Sequence, residues 1–333
     1  MSFWCISQVI GVLVGGLLAS QLSSSGWETP LLVIGGAGFV FAALYLPTFE
    51  APRGHSEPAL RAMREANIEY EHRIDREQLP VLLQRRTNLW LILQGLTAQI
   101  AYGSLIWVTL LYQEKVLSQG YSQGTADKVG GLFAALFTVG ALFSILAGHI
   151  GDRLQRRTPR GRAILSAFGI LGAVPLFLVF FWVPLNGLDV TDGAGTITLA
   201  GEVLASIVTN PWAALAFLSG VGAIAFTSAD SPNWFALISD VNLPEHRGTV
   251  FGAGNFANGI GRSVGSALTG PVANALESSF PPPLNWALGL TIFQAFFLPT
   301  GYCYWKASTT CPSDIADVRN TLTHRAAEAA EGR

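Results

Sequence analysis

Eight stretches of mainly apolar residues, each near the length that a helix needs to cross a lipid bilayer, dominate this sequence. An α-helix spans the hydrocarbon core with about 20 apolar residues. The stretches are continuous rather than alternating, which favours helices over the strands of a membrane barrel. The sequence therefore predicts an all-α polytopic membrane protein with about eight transmembrane helices. The predicted spans are residues 3–22, 30–48, 88–112, 128–150, 163–184, 212–238, 249–275 and 285–306.

The composition supports a membrane protein and excludes a water-soluble globule. Half of the 333 residues are hydrophobic and 13% are charged, whereas about 25% of the residues of a soluble domain are charged. The arginines are confined to a few loops and form no basic face, so we expect no nucleic-acid partner. The apolar start of the chain has neither a basic region nor a small-residue cleavage site, so we expect no cleaved signal peptide.

The cysteine and histidine residues give no indication of a metal site or a cofactor. Cys5, Cys303 and Cys311 form no Cys-x-x-Cys pair, and the five histidines are scattered over loops and the tail. An intramembrane enzyme would need a nucleophile, a base or metal ligands that converge, and the sequence shows no such cluster. We therefore expect no metal, no cofactor and no enzymatic activity.

The distribution of lysine and arginine predicts the orientation of the chain in the membrane. With the N-terminus inside, the segments 49–87, 151–162 and 239–248 and the C-terminal tail hold seventeen of the twenty basic residues. The outer loops then hold only Lys115 and Lys128. Because cytoplasmic loops carry an excess of basic residues, we predict that both termini are cytoplasmic and that the protein is integral to the plasma membrane.

One strongly basic segment lies between two apolar stretches and reads Gly148-His149-Ile150-Gly151-Asp152-Arg153-Leu154-Gln155-Arg156-Arg157. We interpret it as a tight hinge at the membrane surface, in which the two glycines let helix ends approach closely. The aspartate can meet helix N-terminal dipoles and arginines there. From these residues alone, the arginines serve as topology anchors on the inner surface.

The spacing Gly-x-x-Gly-Asp-Arg-x-x-Arg-Arg resembles the cytoplasmic loop signature of the major facilitator superfamily, whose members join two six-helix domains by a long cytoplasmic loop. Residues 240–249, Asp-Val-Asn-Leu-Pro-Glu-His-Arg-Gly-Thr, resemble the loop that precedes the eleventh helix in that family. Gln155 departs from the pattern, because many members have glycine there. The resemblance implies that the segment is a cytoplasmic latch, made and broken as the transporter alternates between its two states. The latch motif comprises Gly148, Gly151, Asp152, Arg153, Arg156 and Arg157.

The family pattern divides the chain into four parts. Residues 1–48 look like the last two helices of the N-terminal domain, 88–306 like the complete six-helix C-terminal domain, and 307–333 like a cytoplasmic tail. The linker 49–87 fits either a short amphipathic helix on the inner membrane surface or a solvated linker. Four helices of the pattern have no counterpart. We therefore expect a chain truncated at its N-terminus that does not transport alone, with an unusual eight-helix derivative as the alternative.

The most polar predicted spans, 212–238 and 249–275, carry charges near mid-membrane. Because an unpaired charge at that depth is costly, we predict that Asp230 and Arg262 pair with each other. Two interpretations stay open. Either the charges line a central cavity, where Arg262 attracts an anionic group or Asp230 exchanges a proton, or the pair only fixes helix packing. The other candidates for substrate or coupling contacts are Asn233, Asn255, Asn258, Gln94 and Gln99.

Two further features of these spans concern the helices themselves. Pro232, close to the Asp230 carboxylate, predicts a kink in the first of them. Gly254, Gly261 and Gly265 share a narrow face of the second, which predicts close packing against another helix.

The resemblance implies a secondary active transporter that moves a small solute by alternating access. Its partners would be a small-molecule substrate, with an organic anion as one option, a coupling proton or ion, and the lipid bilayer. The rival interpretation is a non-transporting membrane scaffold or receptor-like relic of the same fold. Such a relic would tolerate the loss of Asp230 and Arg262, whereas a transporter would not.

Overall fold

The computed structural model describes residues 28–48 and 85–331, together with Gly11, Leu60, Tyr70, His72, Pro80 and Leu82. The predicted span 3–22 and most of the predicted linker lie outside the described residues. In the two described ranges every regular element is helical and none is a strand. The prediction of an all-α protein is confirmed.

The described helices form long rods, some of them built from two helices in series. The rods Glu28–Tyr45, Arg86–Leu117, Gln123–Arg157, Gly161–Trp182 and Pro211–Val241 are long and apolar enough to cross a membrane. A further helix of 33 residues is long enough but more polar. The α-helices are α1 (Glu28–Tyr45), α2 (Arg86–Ser104), α3 (Val108–Leu117), α4 (Gln123–Phe137), α5 (Ser144–Arg157), α6 (Gly161–Trp182), α7 (Thr196–Thr209), α8 (Pro211–Thr227), α9 (Asp230–Val241), α10 (Pro244–Leu276), α11 (Leu284–Gln294) and α12 (Phe297–Glu331).

The chain divides into two compact units. Residues 74–318, with 1–2, form the first unit, and residues 3–73 with 319–333 form the second. The helices from α2 to α11 and most of α12 belong to the first unit, which holds every candidate site residue. In the second unit α1 is an apolar helix of 18 residues whose one buried residue is Pro30.

Glycines set the close packing of α10 along α2. A Cβ atom on Gly261 would meet the carbonyl oxygen of Leu96, and one on Gly265 would meet that of Ile100. A Cβ atom on Gly254 would meet the indole of Trp234 on α9. The predicted packing face is therefore confirmed. Lipid supplies no hydrophobic driving force between helices, so this close backbone contact is a main source of their attraction.

The basic segment 148–157 is helical, which corrects the prediction of a hinge loop. Helix α5 continues to Arg157, and the turn is limited to residues 158–160. The helix ends there because Pro159 disfavours a helical conformation at Thr158, whose φ and ψ are −150° and 134°. Gly151 is a helix-packing position instead, since a Cβ atom there would meet the side chain of Asn233 on α9.

The predicted outer loop 185–211 contains α7 and is anchored by a carboxylate. Asp192 accepts hydrogen bonds from the hydroxyls of Ser122, at 2.5 Å, and Thr125, at 2.6 Å, at the start of α4. These bonds, the one from Ser122 first, favour the ionised form and lower the pKa of Asp192. Glu202 on α7 accepts from the backbone and hydroxyl of Thr191 in the same loop.

Candidate functional site

The rod Pro211–Val241 is interrupted next to Asp230. Helix α8 ends at Thr227 and α9 begins at Asp230. Pro232 has no N–H group, so the carbonyl of Ser228 lacks its usual helical donor. The interruption agrees with the kink that Pro232 predicts.

Side chains bond the backbone carbonyls at this interruption. The Tyr102 hydroxyl donates to the carbonyl of Thr227 at 3.3 Å. The carbonyl of Ala229 accepts from the Ser166 hydroxyl at 3.2 Å and from the Asn233 amide at 2.7 Å. These bonds supply side-chain donors to the carbonyls on either side of Ser228. The Asn233 amide nitrogen is therefore occupied by a bond that supports the broken helix.

The Asp230 carboxylate is buried among neutral hydrogen-bond donors, and the residue is 7% exposed. From α2, Gln94 donates to Oδ1 at 3.0 Å, and the Tyr102 hydroxyl, 3.4 Å from Oδ2, shares its single proton between this oxygen and the carbonyl of Thr227. From α12, the Tyr304 hydroxyl donates to Oδ1. These bonds offset part of the cost of removing a carboxylate from water. Asp230 thereby joins three helices at one point.

The predicted ion pair between Asp230 and Arg262 is wrong. The Arg262 side chain is exposed, and within residues 28–48 and 85–331 it forms no ion pair. The depth of the two residues allows a contact, but the rotation of their helices does not. Gly261 faces α2, which leaves the neighbouring Arg262 side chain exposed, whereas Asp230 contacts side chains of α2 and α12.

Gln94 and Asn258 are polar candidates that lie in the contacts of α2. Gln94 is buried, and its Oε1 atom has no hydrogen-bond partner among the described residues. With its amide nitrogen turned toward the neighbouring carbonyls, Asn258 donates to Gly95 at 3.2 Å and to Gly254 at 3.3 Å. Asn258 therefore helps to join α10 to α2, and Gln94 contacts the Asp230 carboxylate directly.

Asn255 and Arg262 lie on an accessible side of α10. Both residues are exposed. They are seven positions apart, which places them on nearly the same helix face. Gln99 on α2 is half-buried, and its Cβ atom lies close to Gly261. The side chains of Asn255 and Arg262 are therefore more exposed than those of Asn233, Asn258 and Gln94.

Tyr102 and Tyr304 are partners of Asp230 that the sequence pattern does not reveal. Tyr304 lies in the last predicted span, where its hydroxyl is one of four and no spacing distinguishes it from those of Thr291, Thr300 and Tyr302. Tyr102 is one of several polar residues spread around its helix. Physical reasoning does indicate that such partners exist, because a buried intramembrane carboxylate requires donors from neighbouring helices.

A second polar cluster joins α5, α6 and α9 at their ends. Arg162 at the start of α6 donates to Asp152 at 2.6 Å and also pairs with Asp240. The Gln155 amide donates to Asp240 at 3.4 Å, and its oxygen accepts from the Arg162 backbone at 3.2 Å. Gln155, which departs from the family pattern, is therefore part of this cluster.

The other arginines of the motif lie outside this cluster. Arg153, Arg156 and Arg157 are exposed, and none of them forms an ion pair with a described residue. Gly148 is half-buried and Gly151 is buried. The structure thus brings Asp152 and Gly151 into contact with other helices, and the role of the whole motif as a latch stays a prediction.

Further bonds tie α2, α9 and α12 at the same end of the unit. Arg85 pairs with Asp314 at 3.1 Å and donates to the carbonyl of Val241 at 2.8 Å. The side-chain amides of Asn88 and Asn242 exchange two hydrogen bonds, of 2.9 and 2.8 Å. The end of α9 is therefore bonded to the starts of α2 and α6, and Arg85 in turn links this end to α12.

Comparison with known proteins gives one family match. The sequence model of the Major Facilitator Superfamily matches residues 1–266, which is most of the chain and includes the basic motif, Asp230 and Arg262. A search of curated proteins finds no significant match.

Proposed function

The chain belongs to the major facilitator superfamily of transporters, and on this premise we propose that it is a secondary active transporter of a small solute. Transport would occur by alternating access, with the solute bound near the bilayer midplane. The observation that carries the proposal is the Asp230 carboxylate, which is buried at a break in a membrane-crossing rod. Ionisable residues at such positions are expensive and mark substrate or ion pathways.

Packing alone gives no reason for a charge at this position. Tyr102, Tyr304 and Gln94 could bond a neutral amide at a lower desolvation cost than a carboxylate. Protonation of Asp230 would remove the buried charge and leave the surrounding donors in place. We therefore assign Asp230 to coupling, with a proton as the coupled ion.

Arg262 is the proposed contact for the solute. Its guanidinium group is exposed on the same face as Asn255, and guanidinium groups bind carboxylates and phosphates through two parallel hydrogen bonds. The solute is accordingly proposed to be an organic anion. The cluster of Asp152, Arg162 and Asp240 is the proposed latch, whose ion pairs would break when the transporter changes state.

The remaining features of the proposal follow from the sequence. The protein would lie in the plasma membrane. Both termini would be in the cytoplasm, because basic residues are concentrated in the predicted inner loops. Residues 88–306 would form the C-terminal domain, with 1–48 as part of the N-terminal domain, 49–87 as a linker and 307–333 as a tail.

Uptake into proteoliposomes tests the proposal. The assay uses radiolabelled organic anions and neutral solutes of similar size, with empty liposomes as the control. We expect saturable uptake of the anions that exceeds the uptake of the neutral solutes. Correct insertion without saturable uptake in every preparation would instead support the scaffold alternative.

The Arg262→Gln variant tests the anionic substrate. Loss of one charge-assisted contact of about 1.5–3 kcal/mol should lower anion uptake about tenfold or more. Arg262→Lys should retain part of that uptake, since it keeps the charge but not the paired geometry. If Arg262→Gln transports anions at the normal rate, Arg262 does not bind the solute.

A further inference from the structure

Lys115, near the end of α3, is a buried cation outside the Asp230 site. The residue is 5% exposed, and it forms no ion pair with any described residue. Its Nζ atom donates to the carbonyl of Val183 at 2.8 Å and to that of Phe180 at 3.5 Å. It also lies 4.5 Å from the centroid of the Tyr112 ring. Buried ammonium groups are costly and usually have an anionic partner.

The end of α6 explains part of this arrangement. Helix α6 ends at Trp182, and Pro184 has no N–H group to donate to the carbonyl of Phe180. Lys115 caps the carbonyl of Val183 and shares that of Phe180 with the Tyr112 hydroxyl, which donates to it at 2.9 Å. The helix dipole contributes only about half of a negative charge at these carbonyls. The described contacts of Lys115 are therefore neutral dipoles and a ring face, and none of them carries a negative charge.

Lys115 lines a cavity of about 160 Å³. The cavity lies between the end of α3, the segment that follows α6 and the start of α11. Ser118 and Asn186 contribute polar groups, and none of the lining residues is acidic. Sites for drug-sized ligands occupy about 300–1,000 Å³, so this cavity suits a single small group such as a phosphate.

The cavity lies where membrane-crossing rods end. Helix α3 ends at Leu117 and α6 at Trp182, and both Trp182 and Leu284 are more than one-third exposed beside the cavity. Exposed tryptophan at a helix end is typical of the membrane–water interface. A lipid headgroup and an anion from the aqueous phase can both reach that level.

We propose that Lys115, with Asn186, binds a phosphate group in this cavity. The phosphate belongs either to the headgroup of an anionic lipid or to a free anion. The ammonium supplies the charge, and the exposed Asn186 amide supplies further donors. This site does not depend on the proposed transport function.

Ligand-dependent thermal unfolding of the full chain in neutral detergent tests the site. Phosphatidylglycerol and inorganic phosphate are titrated separately at matched ionic strength. At least one of them should raise the unfolding midpoint of the wild-type protein. Lys115→Gln should need about tenfold or more of the same ligand for the same rise, whereas Lys115→Arg should respond like the wild type.

Lys128→Gln is the matched control. Lys128 is the other basic residue of the predicted outer loops, and its Nζ atom donates to the carbonyl of Ala194 at 3.0 Å. This variant should respond like the wild type. If Lys115→Gln does not fold, Asn186→Asp provides the test, because it places a negative charge at the cavity and leaves the Lys115 contacts intact. It should weaken the response in the same way.

The two ligands distinguish the source of the phosphate. A Lys115-dependent rise with phosphatidylglycerol alone assigns a lipid headgroup, and a Lys115-dependent rise with inorganic phosphate assigns a free anion. The absence of any rise with either ligand overturns the proposal. Equal responses from the wild type and from the Lys115→Gln or Asn186→Asp variant overturn it as well.

Discussion

Tyr304 supplies one of the three hydrogen bonds to the Asp230 carboxylate and comes from a different helix than the other two. Tyr304→Phe should lower the free energy of unfolding by about 1–3 kcal/mol, because a buried charged acceptor loses a donor. Tyr302→Phe on the same helix is the control. Tyr302 is 49% exposed, and its change should stay within about 0.5 kcal/mol. Denaturant unfolding in detergent measures both values, and equal losses would contradict the assigned bond.

Asp192 makes the anchoring of its loop depend on pH. Its pKa is lowered by the bonds from Ser122 and Thr125. The anchoring is therefore fully stabilising above the ordinary aspartate pKa of about 3.9 and is lost as the pH falls through the lower folded value. The wild type should unfold at a higher temperature than Asp192→Asn at pH 6, and the difference should shrink as the solution is acidified. Glu202 is present in both proteins, so the comparison isolates Asp192. A difference independent of pH would contradict the assignment.

Among the contacts between helices, that of α10 with α2 determines the direction in which the polar face of α10 points. Gly265→Ala would put a Cβ atom against the carbonyl oxygen of Ile100, which is backbone and cannot move aside. We expect a loss of about 1–3 kcal/mol in the free energy of unfolding, as for an overpacked core. Gly259→Ala on the same helix is the control, since no atom lies within 4 Å of the added Cβ. It should be neutral or stabilising by up to about 1 kcal/mol. If both variants have the same free energy of unfolding, the glycine-dependent contact is contradicted.

At the same scale, the sequence predicts which segments are helical better than it predicts where they end or break. The predicted spans between residues 88 and 306 all coincide with described helices, because lipid requires backbone groups to bond within one segment. Hydropathy contains no information on the 3-10 turns at 105–107 and 138–143. It also places the end of α5 too early, because arginines are polar but good helix formers.

At the scale of the whole molecule, the sequence indicates how deep in the membrane a charged residue lies, but not which neighbouring helix its side chain faces. Depth follows from position along a helix at 1.5 Å per residue, and on that basis Asp230 and Arg262 are neighbours. Direction follows from helix rotation, which is set by contacts such as Gly261 against α2. The sequence therefore identifies Asp230 as a candidate and misses Tyr304, which lies 74 positions away along the chain.

The central claim is that Asp230 serves transport and not only helix packing. The most direct test is solute uptake by Asp230→Asn in proteoliposomes, compared with the wild type reconstituted in the same way. Asparagine keeps the size of the side chain and one acceptor oxygen for Gln94 and Tyr304, and its amide nitrogen can donate to the Tyr102 hydroxyl, but it cannot carry the charge or exchange a proton. We predict that uptake against a gradient is lost while the unfolding temperature changes little. Uptake at the wild-type rate by a folded Asp230→Asn protein would contradict the account.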